Sequence, residues 1–106
     1  MADRKSWTRE EDAVTCALYA VTPYRKIHSQ NAQIIEVAKK LNCTTSSLVK
    51  KLTMYASLDP VGRARGHKGF DSASIQMRNV FAEFQKDWKS IMEQAEAIVG
   101  PLQAED

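Results

Sequence analysis

Cysteine is scarce in this chain: there are two, Cys16 and Cys43, and no CxxC spacing joins them. Both fall at apolar positions of helical patterns and are expected as buried, reduced thiols. Histidine is as rare, with His28 and His67 alone. A zinc site drawn from these four side chains would lack the paired-ligand spacing that such sites use. His28 has no carboxylate or nucleophile near it in sequence, which points to a loop hydrogen bond and away from a catalyst. No nucleophile, acid–base pair or metal set stands out, so neither catalysis nor a cofactor is expected. Proline and glycine number three and four, and Pro23, Pro60 and Pro101 each mark the end of a helix. No apolar run approaches the length of a transmembrane helix, and the polar N-terminus does not resemble a signal peptide. A cytoplasmic chain without membrane contact is the expectation.

What is present is an ordinary globular composition, 43% apolar and 26% charged over 106 residues, enough for one core. A single helical domain is expected, with its core at about residues 7–90 and loose tails at 1–6 and 100–106. The net charge of +2 is unevenly spread. Residues 22–69 carry nine Lys or Arg against two acids, a net of +7, whereas residues 70–106 carry three against seven, a net of −4. A central block of that sign is a plausible phosphate footprint.

That block contains Val37-Ala38-Lys39-Lys40-Leu41-Asn42-Cys43-Thr44-Thr45-Ser46-Ser47-Leu48-Val49-Lys50-Lys51-Leu52. Val37, Ala38 and Leu41 give one helix an apolar face. Asn42 stands where that helix must end in a left-handed conformation, and Thr44 is a good N-cap for the next. Leu48 and Leu52 return to the core at i, i+4 spacing. The open face of the second helix would hold Thr45, Ser46, Ser47, Lys50 and Lys51, short hydroxyls and lysines suited to base edges and phosphates in a major groove. This is a helix-turn-helix pattern, and it resembles that of bacterial sigma-factor-like and regulator domains. An ordinary packed helix pair with solvated lysines is the competing reading.

The rest of the chain supplies flanks. Thr8 and Glu11 form a capping box for a first helix from Arg9 to about Val21, with Val14, Ala17, Leu18 and Val21 inward. Trp7-Thr8-x-Glu10-Glu11-Asp12 resembles the opening of a Myb or SANT-type repeat, without the spaced tryptophans that follow in those repeats. After Thr22-Pro23 comes a basic loop in which Arg25 and Lys26 could touch phosphate. A second helix, capped by Ser29 or Asn31, carries Ile34, Ile35, Val37, Ala38 and Leu41. The third runs from about Thr45 to Ser57, with Leu48, Leu52, Tyr55 and Ala56 inward and Val49 and Met54 off that stripe. Past Asp59-Pro60, Arg63, Arg65 and Lys68 lie in a glycine-rich cationic loop that fails the Walker A spacing. It is either a structured turn with positive-φ glycines or a basic arm along a backbone or in a minor groove. Finally, Asp71 is expected to cap one long helix from Ser72 to about Val99. Met77, Phe81, Phe84, Trp88, Ile91, Ala95 and Ile98 recur on it at heptad spacing, a core stripe that could also support a homodimer.

Several pieces together resemble the N-terminal region of bacterial HNH restriction-type endonucleases: Trp7-Thr8-Arg9-Glu10-Glu11, Lys26-Ile27-His28, Ile34-Ile35-Glu36-Val37-Ala38, Ser46-Ser47-Leu48, Lys51-Leu52, Ala56-Ser57-Leu58-Asp59-Pro60, Ala64-Arg65-Gly66-x-Lys68-Gly69 and Phe84-x-x-Asp87-Trp88. In that family a C-terminal ββα-metal domain cuts, and no His-Asn-His cluster occurs here. The resemblance therefore implies a positioning or recognition module linked to a restriction-type or phage-defence system. The expectation is an all-α fold, a three-helix helix-turn-helix core plus a long C-terminal helix, that binds double-stranded DNA without catalysis. The alternative is an adaptor docking on a separate nuclease or other defence protein.

Overall fold

A computed structural model describes residues 6–66 and 73–105 of the chain, without the Arg63 side chain. Its described residues form six α-helices and one 3-10 turn: α1 Arg9–Val21, the 3-10 turn Tyr24–Lys26, α2 Ala32–Lys40, α3 Thr45–Leu58, α4 Pro60–Ala64, α5 Ile75–Lys86 and α6 Trp88–Val99. The all-α expectation holds.

Helix α1 is the hub. Its stretch from Ala13 to Val21 contains no charged side chain, so it offers no charged face to water, as expected of a helix enclosed over most of its surface. Residues Asp12 to Leu18 are all buried, which goes beyond the one-sided stripe that its apolar spacing suggested. It packs on α3, α5 and α6, and α2 in turn packs on α3. Thr8 caps α1 as expected. Its hydroxyl accepts from the Glu11 N–H at 3.1 Å, while the Thr8 N–H donates to Glu11 Oε1 at 3.0 Å.

The helix boundaries at the centre follow local chemistry. Asn31 caps α2, accepting from the Ile34 N–H at 3.1 Å, and Thr44 caps α3, accepting from the Ser47 N–H at 3.0 Å. Between them Asn42 adopts φ 57°, a left-handed turn that asparagine tolerates better than most side chains. Ile34, Val37, Ala38 and Leu41 from α2 and Leu48, Leu52 and Tyr55 from α3 enter one core with α1. The backbone after Asp59 does not become a loop at once. The Asp59 carboxylate accepts from the Val61 N–H at 3.0 Å and starts the short α4, with Pro60 at its first position, where its missing donor costs nothing. Gly66 then turns at φ 82°.

Two expectations fail here. The long C-terminal helix is two helices, because Asp87 leaves the helical region (φ −150°, ψ 78°) and its carboxylate accepts from the Ser90 N–H at 3.3 Å. A single helix from Ser72 to Val99 would be roughly 40 Å long, more than the 34 Å longest extent of the molecule. The break lets α6 fold back on α1. It also splits the heptad stripe: Met77, Phe81, Ile91 and Ala95 are buried, whereas Trp88 and Ile98 are exposed and Val80 and Val99 enter the core in their place. Ser74, not Asp71, caps α5, accepting from the Met77 N–H at 3.1 Å; Asp71 lies outside the described residues.

The other failure is the C-terminal tail, which is not loose. After Gly100 ends α6 at φ 84°, residues 102–105 run back along α2. The Gln103 N–H donates to Gln33 Oε1 at 2.7 Å, Gln33 Nε2 donates to the Gln103 carbonyl at 2.9 Å, and the Glu105 N–H donates to the Val21 carbonyl at 2.9 Å.

Candidate nucleic-acid interface

The residues proposed for DNA contact separate into three sets. At the start of α3, Ser46, Ser47 and Lys50 are exposed and Thr45 is half-buried. The Thr44 cap fixes this first turn, and the Thr44 hydroxyl also donates to Ser47 Oγ at 2.9 Å. Val49 and Met54 are half-buried against the core, so their packing fixes how α3 presents its outer side.

Lys51 is a correction. Its side chain is 13% exposed and its Nζ lies 2.9 Å from Oδ1 of Asp12, a carboxylate with no exposure. The same ammonium lies 4.7 Å from the centroid of the Trp7 ring, within cation–π range. Gln76 Nε2 completes the cluster, donating to Asp12 Oδ2 at 2.7 Å and to the Trp7 carbonyl at 2.8 Å. Lys51 therefore faces inward across the α1–α3 seam and is not on the open face with Lys50. The reason is geometric. Positions 51, 52 and 55 share the side of α3 that meets α1, and a buried Asp12 requires a cation there.

The other described basic residues of the set, Arg25, Lys26 and Arg65, lie at the other end. Helices α1 and α3 run in the same direction, since Asp12 meets Lys51 while Tyr19 OH donates to Asp59 Oδ2 at 2.7 Å. The 3-10 turn that follows α1 thus sits beside the C-terminal end of α3. There Arg25 is exposed, Lys26 is half-buried and Arg65 is exposed, and Tyr24 and Arg65 border one cavity of about 420 Å³. Ser46 and Asp59 are thirteen helical steps apart, on the order of 20 Å, so the hydroxyls and Lys50 lie far from Arg25, Lys26 and Arg65. The Arg63 side chain and Lys68 lie outside the described residues.

The thiol of Cys16 and the phenols of Tyr19 and Tyr55 are held protonated. Burial, and after it the Asp12 charge, pushes the Cys16 thiol up to about 12. Burial likewise raises Tyr19, whose hydroxyl bond to Asp59 adds to the shift, and Tyr55. The Tyr55 hydroxyl donates to the Asp12 carbonyl at 2.9 Å. These groups carry structure and are not activated nucleophiles. His28 is exposed in the loop, where Nδ1 accepts from the Gln30 N–H at 3.2 Å. Among the described residues no group of three His, Cys, Asp or Glu is placed to hold a metal ion, and no helix is long and apolar enough to cross a membrane.

Sequence reasoning missed Asp12 as the partner of Lys51. The uncharged run after it was the available signal, since an acid leading an enclosed helix needs an internal counter-ion. It also missed Gln33, Gln103 and Glu105, for which polar composition offers no signal. In comparisons with known proteins, no family model, curated protein or solved structure matches the chain.

Proposed function

We propose that the chain is a double-stranded DNA-binding module without catalysis of its own, in which α2 and α3 act as a helix-turn-helix. The observation that carries this reading is the turn and the face beyond it. Asn42 at φ 57° and the Thr44 cap join α2 to α3 through a short turn, and Ser46, Ser47 and Lys50 are exposed. Small hydroxyls and a lysine on the first turns of a helix suit base edges, and cations at its far end suit phosphates. The HNH-type resemblance extends this reading to a recognition part of a restriction or phage-defence system, working with a separate nuclease.

With Lys51 turned inward, the cations left among the described residues to neutralise phosphates are Arg25, Lys26 and Arg65 beyond one end of α3 and Lys50 toward its other end. Four neutralised phosphates give a slope of about −3.6 in log K against log salt. Fluorescence anisotropy of a labelled duplex at about 50 and 200 mM salt measures it. Lys50→Ala is the matched variant and is expected to weaken binding about tenfold, the effect of roughly 1.4 kcal/mol. Unchanged affinity would remove α3 from the interface.

A second reading, the adaptor, is favoured by one observation. Trp88 opens α6 with 56% of its surface exposed, and Ile75 opens α5 with 77% exposed. Exposed apolar surface marks protein contacts where such side chains form a contiguous patch. Docking there, on a nuclease or a second copy of this chain, would show little salt sensitivity.

A further inference from the structure

The tail that runs back along α2 is the feature the DNA reading leaves unused. It is held at successive points. Lys40 Nζ donates to the Val99 carbonyl at 2.7 Å, the Leu102 N–H donates to Glu96 Oε2 at 3.0 Å, and Gln103 and Gln33 exchange two bonds of 2.7 and 2.9 Å. The contacts end on a charge. Glu105 Oε1 accepts from Asn31 Nδ2 at 3.0 Å and Oε2 accepts from Gln33 Nε2 at 3.1 Å. Asn31 Nδ2 also donates to the Lys26 carbonyl at 3.0 Å, which ties the carboxylate to the basic turn. Lys26 and His28 border the same cavity, about 450 Å³, as Gln103 and Glu105.

A carboxylate gripped by two amide N–H groups beside a lysine and a histidine occupies the kind of surface that a backbone phosphate would use. The tail that delivers it packs Leu102 against the core, but Gln103 and Glu105 are held by hydrogen bonds, which exchange readily for bonds to phosphate or water. We propose that residues 102–105 are an intramolecular strap that competes with DNA phosphate for the Lys26–Gln33 surface and holds the module in a low-affinity state. This rests on the DNA-binding reading above. When the strap is closed, the competent fraction falls, and apparent affinity falls by the same factor.

The test uses the full chain. Glu105→Ala removes the carboxylate and both of its bonds, and Glu105→Gln keeps the shape without the charge. Glu93→Gln makes the same charge change at an exposed position of α6 away from the strap, and so controls for net charge. Anisotropy with a labelled duplex at about 50 mM salt is expected to give Glu105→Ala an affinity at least about threefold tighter than the parent. Glu105→Gln is expected to fall between, and Glu93→Gln to match the parent. In the parent, adding the duplex should speed hydrogen exchange at the Gln103 and Glu105 amides as the strap opens. If the parent binds and Glu105→Ala binds no tighter, or if those amides stay protected in the complex, the strap proposal is overturned and the DNA reading stands. If neither the parent nor Glu105→Ala binds, the DNA reading falls and takes the strap with it. Binding by Glu105→Ala alone would support both.

Discussion

Lys51 and Lys50 are adjacent in sequence and have opposite roles. Lys51 neutralises a buried carboxylate, and removing one partner of such a pair leaves an uncompensated charge in the core. Lys51→Met is expected to destabilise the chain by about 3–5 kcal/mol in urea unfolding. Adding Asp12→Asn should recover a large part of that loss, because the orphaned charge is removed. A Lys51→Met variant as stable as the parent would mean that the ion pair does not hold α1 to α3. The buried thiol and phenols set an alkaline limit. Cys16 ionises at an ordinary value of 9.0 in the unfolded chain but is held protonated to about 12 in the fold, and Tyr19 and Tyr55 shift in the same direction from 10.0. Above 9 the unfolded chain therefore holds fewer protons than the folded one, so stability falls as pH rises. Cys16 alone gives a slope of about 1.4 kcal/mol per pH unit between those two values. Urea midpoints at about pH 8, 9 and 10 would follow it, and Cys16→Ala should flatten the part of the slope that begins near 9.

At the level of elements, Asp87 decides where the C-terminal half turns. Its carboxylate caps α6 in a backbone conformation that ends α5, and Asp87→Ala is expected to cost about 1 kcal/mol, read as a lower urea midpoint. Asp87→Asn, which can still accept the Ser90 N–H, should retain most of the stability. The break was not legible in the sequence. Phe84, Trp88 and Ile91 continue a heptad through it, and only the packing of α6 against α1 favours a bend over continuation. Some caps were legible: Thr8, Thr44 and Asn31 (one of two candidates) each bond an amide three residues on, so their chemistry is local. Asn42 was legible for the same reason, and so were the inward faces of α2 and α3. The candidate site was half legible. The exposure of Ser46, Ser47 and Lys50 follows from helical facing around Leu48 and Leu52. The loss of Lys51 to Asp12 depends on a neighbour brought in by the fold, and helical spacing cannot encode that. The strap fails for a related reason, since glutamines and a glutamate in a tail look solvated until Gln33 and Asn31 are set opposite them.

For the whole molecule, opposite charge clusters in the sequence become neighbours in space. The basic turn after α1 and the acidic end of the chain, far apart in order, meet at Glu105. Salt should then act on two equilibria at once, weakening phosphate contacts and loosening the strap. The parent is expected to give a shallower log–log salt plot than Glu105→Ala, which approaches the slope of about −3.6 set by four phosphates. Equal slopes would mean that the tail and the duplex do not share a surface.

The enclosure of α1 has a consequence for how the protein is made. Its most extensive packing is with α6; Arg9 reaches Gln94 at 2.8 Å, 85 residues on, and pairs with Glu83 as well. Synthesis delivers α1 before α6, its main cover. Until α6 emerges, the uncharged run from Ala13 to Val21 has no complete partner, and the nascent chain must carry an apolar segment that ribosome-associated chaperones can hold. Folding of the module thereby waits on the synthesis of α6.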